Sequence, residues 1–279
     1  MTVHFNKDLV LGETGDKRNF DALPVENADT ESTSDTGAIE RIECHDAVTV
    51  HVNQWLEGEP IGRHAAEFAN LKLNLETGDF HAIGQGYLES VSPDKNAQLQ
   101  GSAPAVARAN TPSQTLEYAF AYVKVEFIGD LAGNLDRKEA RLTHNVMALF
   151  APVQRIDDEL NLDVPTSDLP ENSGILLSEV LTISALETED DDTNSFAIVA
   201  RDNARLRSRD LSATGADVIT YDHQKQQFIM KAEGRGTVRV NHKDGRSNSL
   251  NSLSGKRFEY YRANNQLSAD GLGGLRLEE

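Results

Sequence analysis

Eight histidines, one cysteine and a run of four acids are the residues of this 279-residue chain that could do chemistry. His45 with His51, and His64 with Glu67, invite a metal reading. The His-x-x-Glu at 64–67 lacks the second histidine that a metalloprotease helix presents, and Arg63 to Leu75 runs into a strand pattern. These histidines are therefore expected on the surface or along a groove. Glu189 to Asp192 offers hard oxygen ligands, but a calcium-binding hand opened by Asp190 would find Ser195 and Arg201 where its glycine and terminal glutamate belong. A solvated, self-repelling loop is the expectation. Gly271, Gly273 and Gly274 precede Leu275-Arg276-Leu277, which continues as strand, so the helix that completes a phosphate cradle is missing. Such glycines suit a bulge. Asp157 and Asp158 become an acid and a base only at a defined separation in space. Cys44 sits between Ile42 and Asp46 in an alternating segment with no activating base in view, and a single cysteine excludes a disulfide framework and a multi-cysteine zinc site. The reading is non-enzymatic, with no catalytic residue, metal or cofactor.

The charge points the same way. The chain holds 27 Lys+Arg and 45 Asp+Glu, a formal net charge of -18. From Met1 to Ala200 there are 13 cations and 35 anions, giving -22, whereas Arg201 to Glu279 has 14 and 10, giving +4. A body this acidic repels phosphate backbones, and no nucleic-acid partner is expected. No apolar run approaches the ~20 residues of a membrane-spanning helix. Met1 to Phe20 has neither the basic start nor the continuous apolar stretch of a secretory signal.

The elements that must position any site are strands. Ala69, Leu71, Leu73 and Leu75 alternate with polar residues, as do Val123, Val125 and Phe127, then Phe196, Ile198 and Ala200, then Val238 and Val240. The nearest approach to a helical pattern, Asp136 to Met147, fits a strand as well. Three segments repeat one hairpin: Leu73 to Phe80, Tyr221 to Phe228 and Tyr260 to Leu267 each span seven positions across a polar turn, and a Gly-x-Gly follows each. A second recurring element is a strand entered by a small polar pair, at His45-Asp46, His144-Asn145 and Asp202-Asn203. Residues 92–115, rich in Pro, Gln, Ser and Ala, read as a linker or long loop, and Gln154 to Gly174 is a second interruption. The expected organisation is a β-roll at 1–91, the linker at 92–115 and a second β-roll at 116–279. The expected fold class is all-β, an elongated open β-jellyroll built from repeated hairpins as tandem rolls.

The pattern Ala216-Asp217-x-Ile219-x-Tyr221-Asp222, Phe228, Gly234-x-Gly236-x-Val238-x-Val240, Phe258-x-Tyr260, Asn264-Asn265-x-Leu267 and Leu275-x-Leu277 resembles the organic-solvent-tolerance-like (OstA-like) domain of the lipopolysaccharide transport bridge family. The resemblance is clearest over 201–279 and recurs from Ile42 to Val91. It implies a β-jellyroll in the periplasm or cell envelope that carries acyl chains of lipid or lipopolysaccharide in an inner groove. It also implies partners: the amphiphile itself, and other envelope β-jellyrolls or further copies joined head to tail. The expected groove residues are Ile219, Tyr221, Phe228, Met230, Val238, Phe258, Tyr260 and Leu267, with Leu71, Leu73 and Phe80 in the first roll and Met230 at the rim. Two other readings stand beside this one. The first is a cargo-free β-solenoid scaffold, in which the same residues are sealed core. The second is a polysaccharide-binding sandwich, for which a single Trp55 and 6% aromatic residues supply few stacking platforms.

Overall fold

The computed structural model describes residues 40–56, 58–93, 120–163, 165–186, 196–243 and 250–278. They form β1 (Arg41–Leu56), β2 (Glu59–Asn74), β3 (Asp79–Ile83), β4 (Gly86–Pro93), β5 (Phe120–Phe127), β6 (Asp130–Asn134) and β7 (Glu139–Val153). After these come β8 (Gly174–Ala185), β9 (Phe196–Ser208), β10 (Leu211–Asp222), β11 (Gln227–Lys231), β12 (Val238–Lys243), β13 (Leu250–Tyr261) and β14 (Gln266–Glu278). Helix is limited to 3₁₀ turns at Thr166–Asp168 and Arg262–Asn264. The fold is all-β, as the alternation predicts. No helix among the described residues is long and apolar enough to cross a membrane.

All fourteen strands join one antiparallel sheet, and its register reveals a simple meander. β2 pairs with β4 through its first half, as Arg63 opposite Val91, and with β3 through its second, as Leu73 opposite Phe80. Thus β3 and β4 are one long strand interrupted at Gly84-Gln85. Likewise β5 and β6, interrupted at Ile128-Gly129, both pair with β7, and β11 and β12 both lie between β10 and β13. β4 pairs with β5 along its whole length, so the described strands of 1–91 and 116–279 share the sheet. The expected linker lies outside the described residues from position 94 to its end.

The interruptions and a series of register shifts lie on one line crossing the strands. Shifts fall between His45 and Val48, Thr143 and Val146, Leu177 and Val180, and at Ala213 to Val218. Two of the recurring polar pairs sit on this line with left-handed backbones, His144 (φ 63°) with Asn145 (50°) and Asp202 (62°) with Asn203 (57°), and on β1 the left-handed pair is Asp46 (64°) with Ala47 (62°), one residue later than the His45-Asp46 of the sequence pattern. The sequence reading places these pairs at strand entrances, whereas each occupies the middle of a strand and bends it. Asp and Asn tolerate the left-handed region, and a bulge there increases the bend of the sheet. Gly273 fills the same role on β14, where Ser254 faces Gly274 but Gly255 faces Leu272.

The bend divides the sheet into two halves. The turn half carries the hairpin turns after Asn74, Asn134, Asp222 and Tyr261, and the loop half carries the longer connections after Pro93 and Val153 together with the short ones after Leu56 and Ser208. In three hairpins the last strand residue caps the turn: Asn74 Oδ1 accepts from the Thr77 N–H, Asn134 Oδ1 from Arg137, and Asp222 Oδ1 from Lys225. Four residues after this position the chain is left-handed, at Gly78 (φ 71°), Lys138 (49°), Gln226 (48°) and Asn265 (51°). The hairpin at Asn134–Glu139 is a fourth copy that the sequence reading does not identify.

The halves face each other across one apolar cluster. Val125, Phe127, Leu176, Leu206 and Val240 come from the loop half, and Leu131, Leu142, Leu181, Ile219 and Phe258 from the turn half. On the outer face of the loop half, residues 154–163 and 165–173 form a strap. Its Leu162 and Leu169 pack on Val91, Tyr122, Leu149 and Ile175. This second burial explains why β7 and the start of β8 are apolar on both faces.

Candidate functional site

The inner face is where the expected groove residues gather. Leu73 and Phe80, Tyr221 and Phe228, and Tyr260 and Leu267 are direct cross-strand partners, so the seven-residue spacing marks opposed positions of three hairpins. Ile219, Met230, Val238 and Phe258 are fully buried, and Tyr221, Phe228 and Tyr260 are nearly so. Met230, expected at the rim, lies deep inside with no exposed surface. The reason is that β11 is flanked by β10 and β13, which leaves its inward residues no edge. Leu71, Leu73, Phe80 and Leu267 are half-buried, nearer the two ends of the sheet.

An aromatic column closes the interior opposite the bend. Tyr221 and Phe228 stack at 4.5 Å between centroids, and Tyr260 continues the row 6.5 Å from Phe228. Phe150 crosses from the loop half, 6.0 Å from Tyr221 at an interplanar angle of 7° and 5.7 Å from Phe228. Its placement depends on Gly174, the residue opposite it on β8. A Cβ there would stand 2.4 Å from the Phe150 ring. Phe150 is absent from the sequence-derived site because it lies in the unbroken apolar run Val146 to Val153, where alternation gives no face.

Side chains hold the seam between the halves. His242 Nε2 and Asn265 Oδ1 are 2.8 Å apart, and the Tyr260 hydroxyl donates to the same oxygen at 3.1 Å. Burial, aided by the Asp210 charge and opposed by Arg262, pushes the Tyr260 phenol up to about 12. The Arg262 guanidinium lies 5.3 Å over the Phe150 ring and reaches the Tyr221 hydroxyl at 3.5 Å. Among the described residues, the backbone hydrogen bonds of turns and loops stay within one half, on the bend or within the strap.

A polar cluster pins the strap. Glu89 bridges Arg63 Nη2 (2.8 Å) and the Tyr122 hydroxyl (3.0 Å), and these two donors also reach the Asp158 and Leu160 carbonyls of the strap. Burial, with the Glu89 charge, drives the Tyr122 phenol far above its ordinary value. A crevice of about 280 Å³ between the strap and the end of β7 is lined by Val153, Asp158, Glu159, Leu160 and Pro170.

The other chemistry-bearing residues do not converge. His45 and His51 are exposed on opposite sides of the bend. His64 meets the Ser90 hydroxyl at 3.0 Å, and burial lowers its pKa. Asp157 pairs with Arg155, while the Asp158 carboxylate accepts from the Gln154 and Arg155 backbone N–H groups. Cys44 is buried and free. The acid run at 189–192 lies outside the described residues. Among the described residues no three His, Cys, Asp or Glu side chains are placed to hold a metal ion.

Fold and site define a class: a folded antiparallel meander with an apolar interior, whose end strands β1 and β14 each have one strand neighbour among the described residues. No family model, curated protein or solved structure matches the chain.

Proposed function

We propose that this chain is a non-enzymatic cell-envelope protein that takes up acyl chains of a lipid or lipopolysaccharide-like amphiphile between the two halves of its sheet, and serves lipid transport or outer-membrane assembly. The observation that supports this reading is the inner cluster itself: it runs from β2 to β13, consists of apolar and aromatic residues, and is closed opposite the bend by side chains. Transfer of an acyl chain from water is favourable by about 0.8 kcal/mol per methylene, so parting such a seam is a reachable cost for a long chain. The edges of β1 and β14 give the roll two places to join further rolls, as the OstA-like resemblance implies.

The complete burial of Ile219, Met230, Val238 and Phe258 favours a second reading, a cargo-free scaffold in which the same face is only core. Photo-crosslinking with a fatty-acyl probe, followed by peptide mapping, separates the two. Uptake predicts label on β10, β11 and β13 at inward positions such as Phe228. Label confined to outer-face residues, or none, leaves the scaffold as the function.

A further inference from the structure

Among the described cations near the hairpin tips and seam, Arg262 is the one that lies over an aromatic ring of the inner face. Lys225 pairs with Asp222, Arg137 with Glu139, Arg155 with Asp157, Arg209 with Glu171 and Arg257 with Glu259. Arg262, in a chain with 45 acids to 27 bases, has no ion pair among the described residues. Its guanidinium is half-buried against the Phe150 ring, with one long contact to the Tyr221 hydroxyl. A guanidinium carries five N–H donors, so most of its donors have no acceptor among the described residues. The Asp210 charge acts on the neighbouring Tyr260.

The position matters as much as the free donors. Arg262 begins the 3₁₀ turn between β13 and β14, and its backbone N–H is fixed to the Gln226 carbonyl at 3.0 Å. The side chain thus lies across the seam, over the aromatic column that floors the interior. We propose that Arg262 receives the anionic oxygen head group of the amphiphile, carboxylate or phosphate, while the acyl chain enters beside Phe150 and Tyr221. This rests on the acyl-uptake reading above. A planar guanidinium meets two oxygens of either head at once and can remain stacked on an aromatic face while doing so. Elsewhere the net charge of -18 opposes an anionic ligand, so a preference for anionic heads isolates this local cation.

The test uses three single-chain probes of equal acyl length, a carboxylate, a phosphate monoester and a neutral alcohol, with binding followed by fluorescence displacement on the full chain. The expected result is that both anionic probes bind about tenfold more tightly than the alcohol, and that in Arg262→Gln the three probes bind alike. Arg262→Lys should keep part of the preference, which guards against a folding defect in the glutamine variant. Equal binding of all three probes to the native chain, or an anionic preference that survives Arg262→Gln, overturns the assignment. If no probe binds, the alcohol included, acyl uptake itself fails and the head-group site falls with it.

Discussion

Tyr122 and Tyr260 are placed so that their phenols resist ionisation, one under the strap and one at the seam. Burial is the larger cause for both, followed by the Glu89 charge for Tyr122 and the Asp210 charge for Tyr260. The folded pKa values lie above the ordinary 10, so on raising the pH the unfolded chain loses these protons first. Their contribution is fully present below pH 10 and is lost as the pH climbs from there towards the folded values. Urea midpoints should therefore fall above pH 10, and the fall should be smaller in Tyr122→Phe and Tyr260→Phe. An alkaline decline of unchanged size in the double variant would remove these two phenols from the account. At this scale the sequence is legible where the signal is local: the partners Tyr221 and Phe228 follow from period-two alternation around a turn. Phe150 and Arg262 lie far apart in the chain and meet only across the seam, so no window of sequence contains their contact.

The bend is the element on which the architecture depends, and its parts show what one dimension conceals. Each polar pair is visible as a repeat, yet inward positions keep their parity through it: Cys44 and Val48 on β1, Leu142 and Val146 on β7, Ala200 and Ala204 on β9 are all buried. A mid-strand bulge that preserves the alternation looks like the start of a new strand unless the partner register is known. Ala47 is the apolar member of these left-handed pairs, a β-carbon residue at φ 62° with no polar side chain. Left-handed backbone costs such a residue roughly 1 to 2 kcal/mol, offset in part by the greater entropy glycine loses on folding. Ala47→Gly should consequently raise stability by about 0.5 to 1 kcal/mol, seen as a higher urea midpoint at unchanged slope. A lower midpoint would mean that β1 does not bend at this residue. The strap escaped the sequence pattern for a related reason: Leu160, Leu162 and Leu169 are separated by acids and prolines, and it is the apolar outer face of β4, β5, β7 and β8 that gives them a partner.

For the whole molecule the two ends of the meander decide how it meets its neighbours. Among the described residues β1 pairs only with β2 and β14 only with β13, so each has a row of backbone donors and acceptors with no strand partner there. Natural edge strands are guarded by charge, proline or bulges, but Val48 to Leu56 contains no Asp, Glu, Lys, Arg, Pro or Gly, and its register shift falls only near its end, between Gln54 and Trp55. Val52, Trp55 and Leu56 on this stretch are 42%, 59% and 61% exposed. The charge split of -22 and +4 suggests head-to-tail attraction that salt would weaken, yet β1 and β14 each carry one Arg and two acids. Pairing of β1 with β14 of another copy therefore draws on backbone hydrogen bonds and apolar contact, against a weak like-charge repulsion. Association measured by light scattering should rise with protein concentration and persist or strengthen as salt is added. Trp55 is the single tryptophan, so its emission should shift to the blue as the edge is covered. Val52→Lys, an edge charge of the kind this strand lacks, should return the protein to monomer with Trp55 still exposed. An association that salt dissolves, or that Val52→Lys leaves intact, would put the contact somewhere other than the free edge of β1.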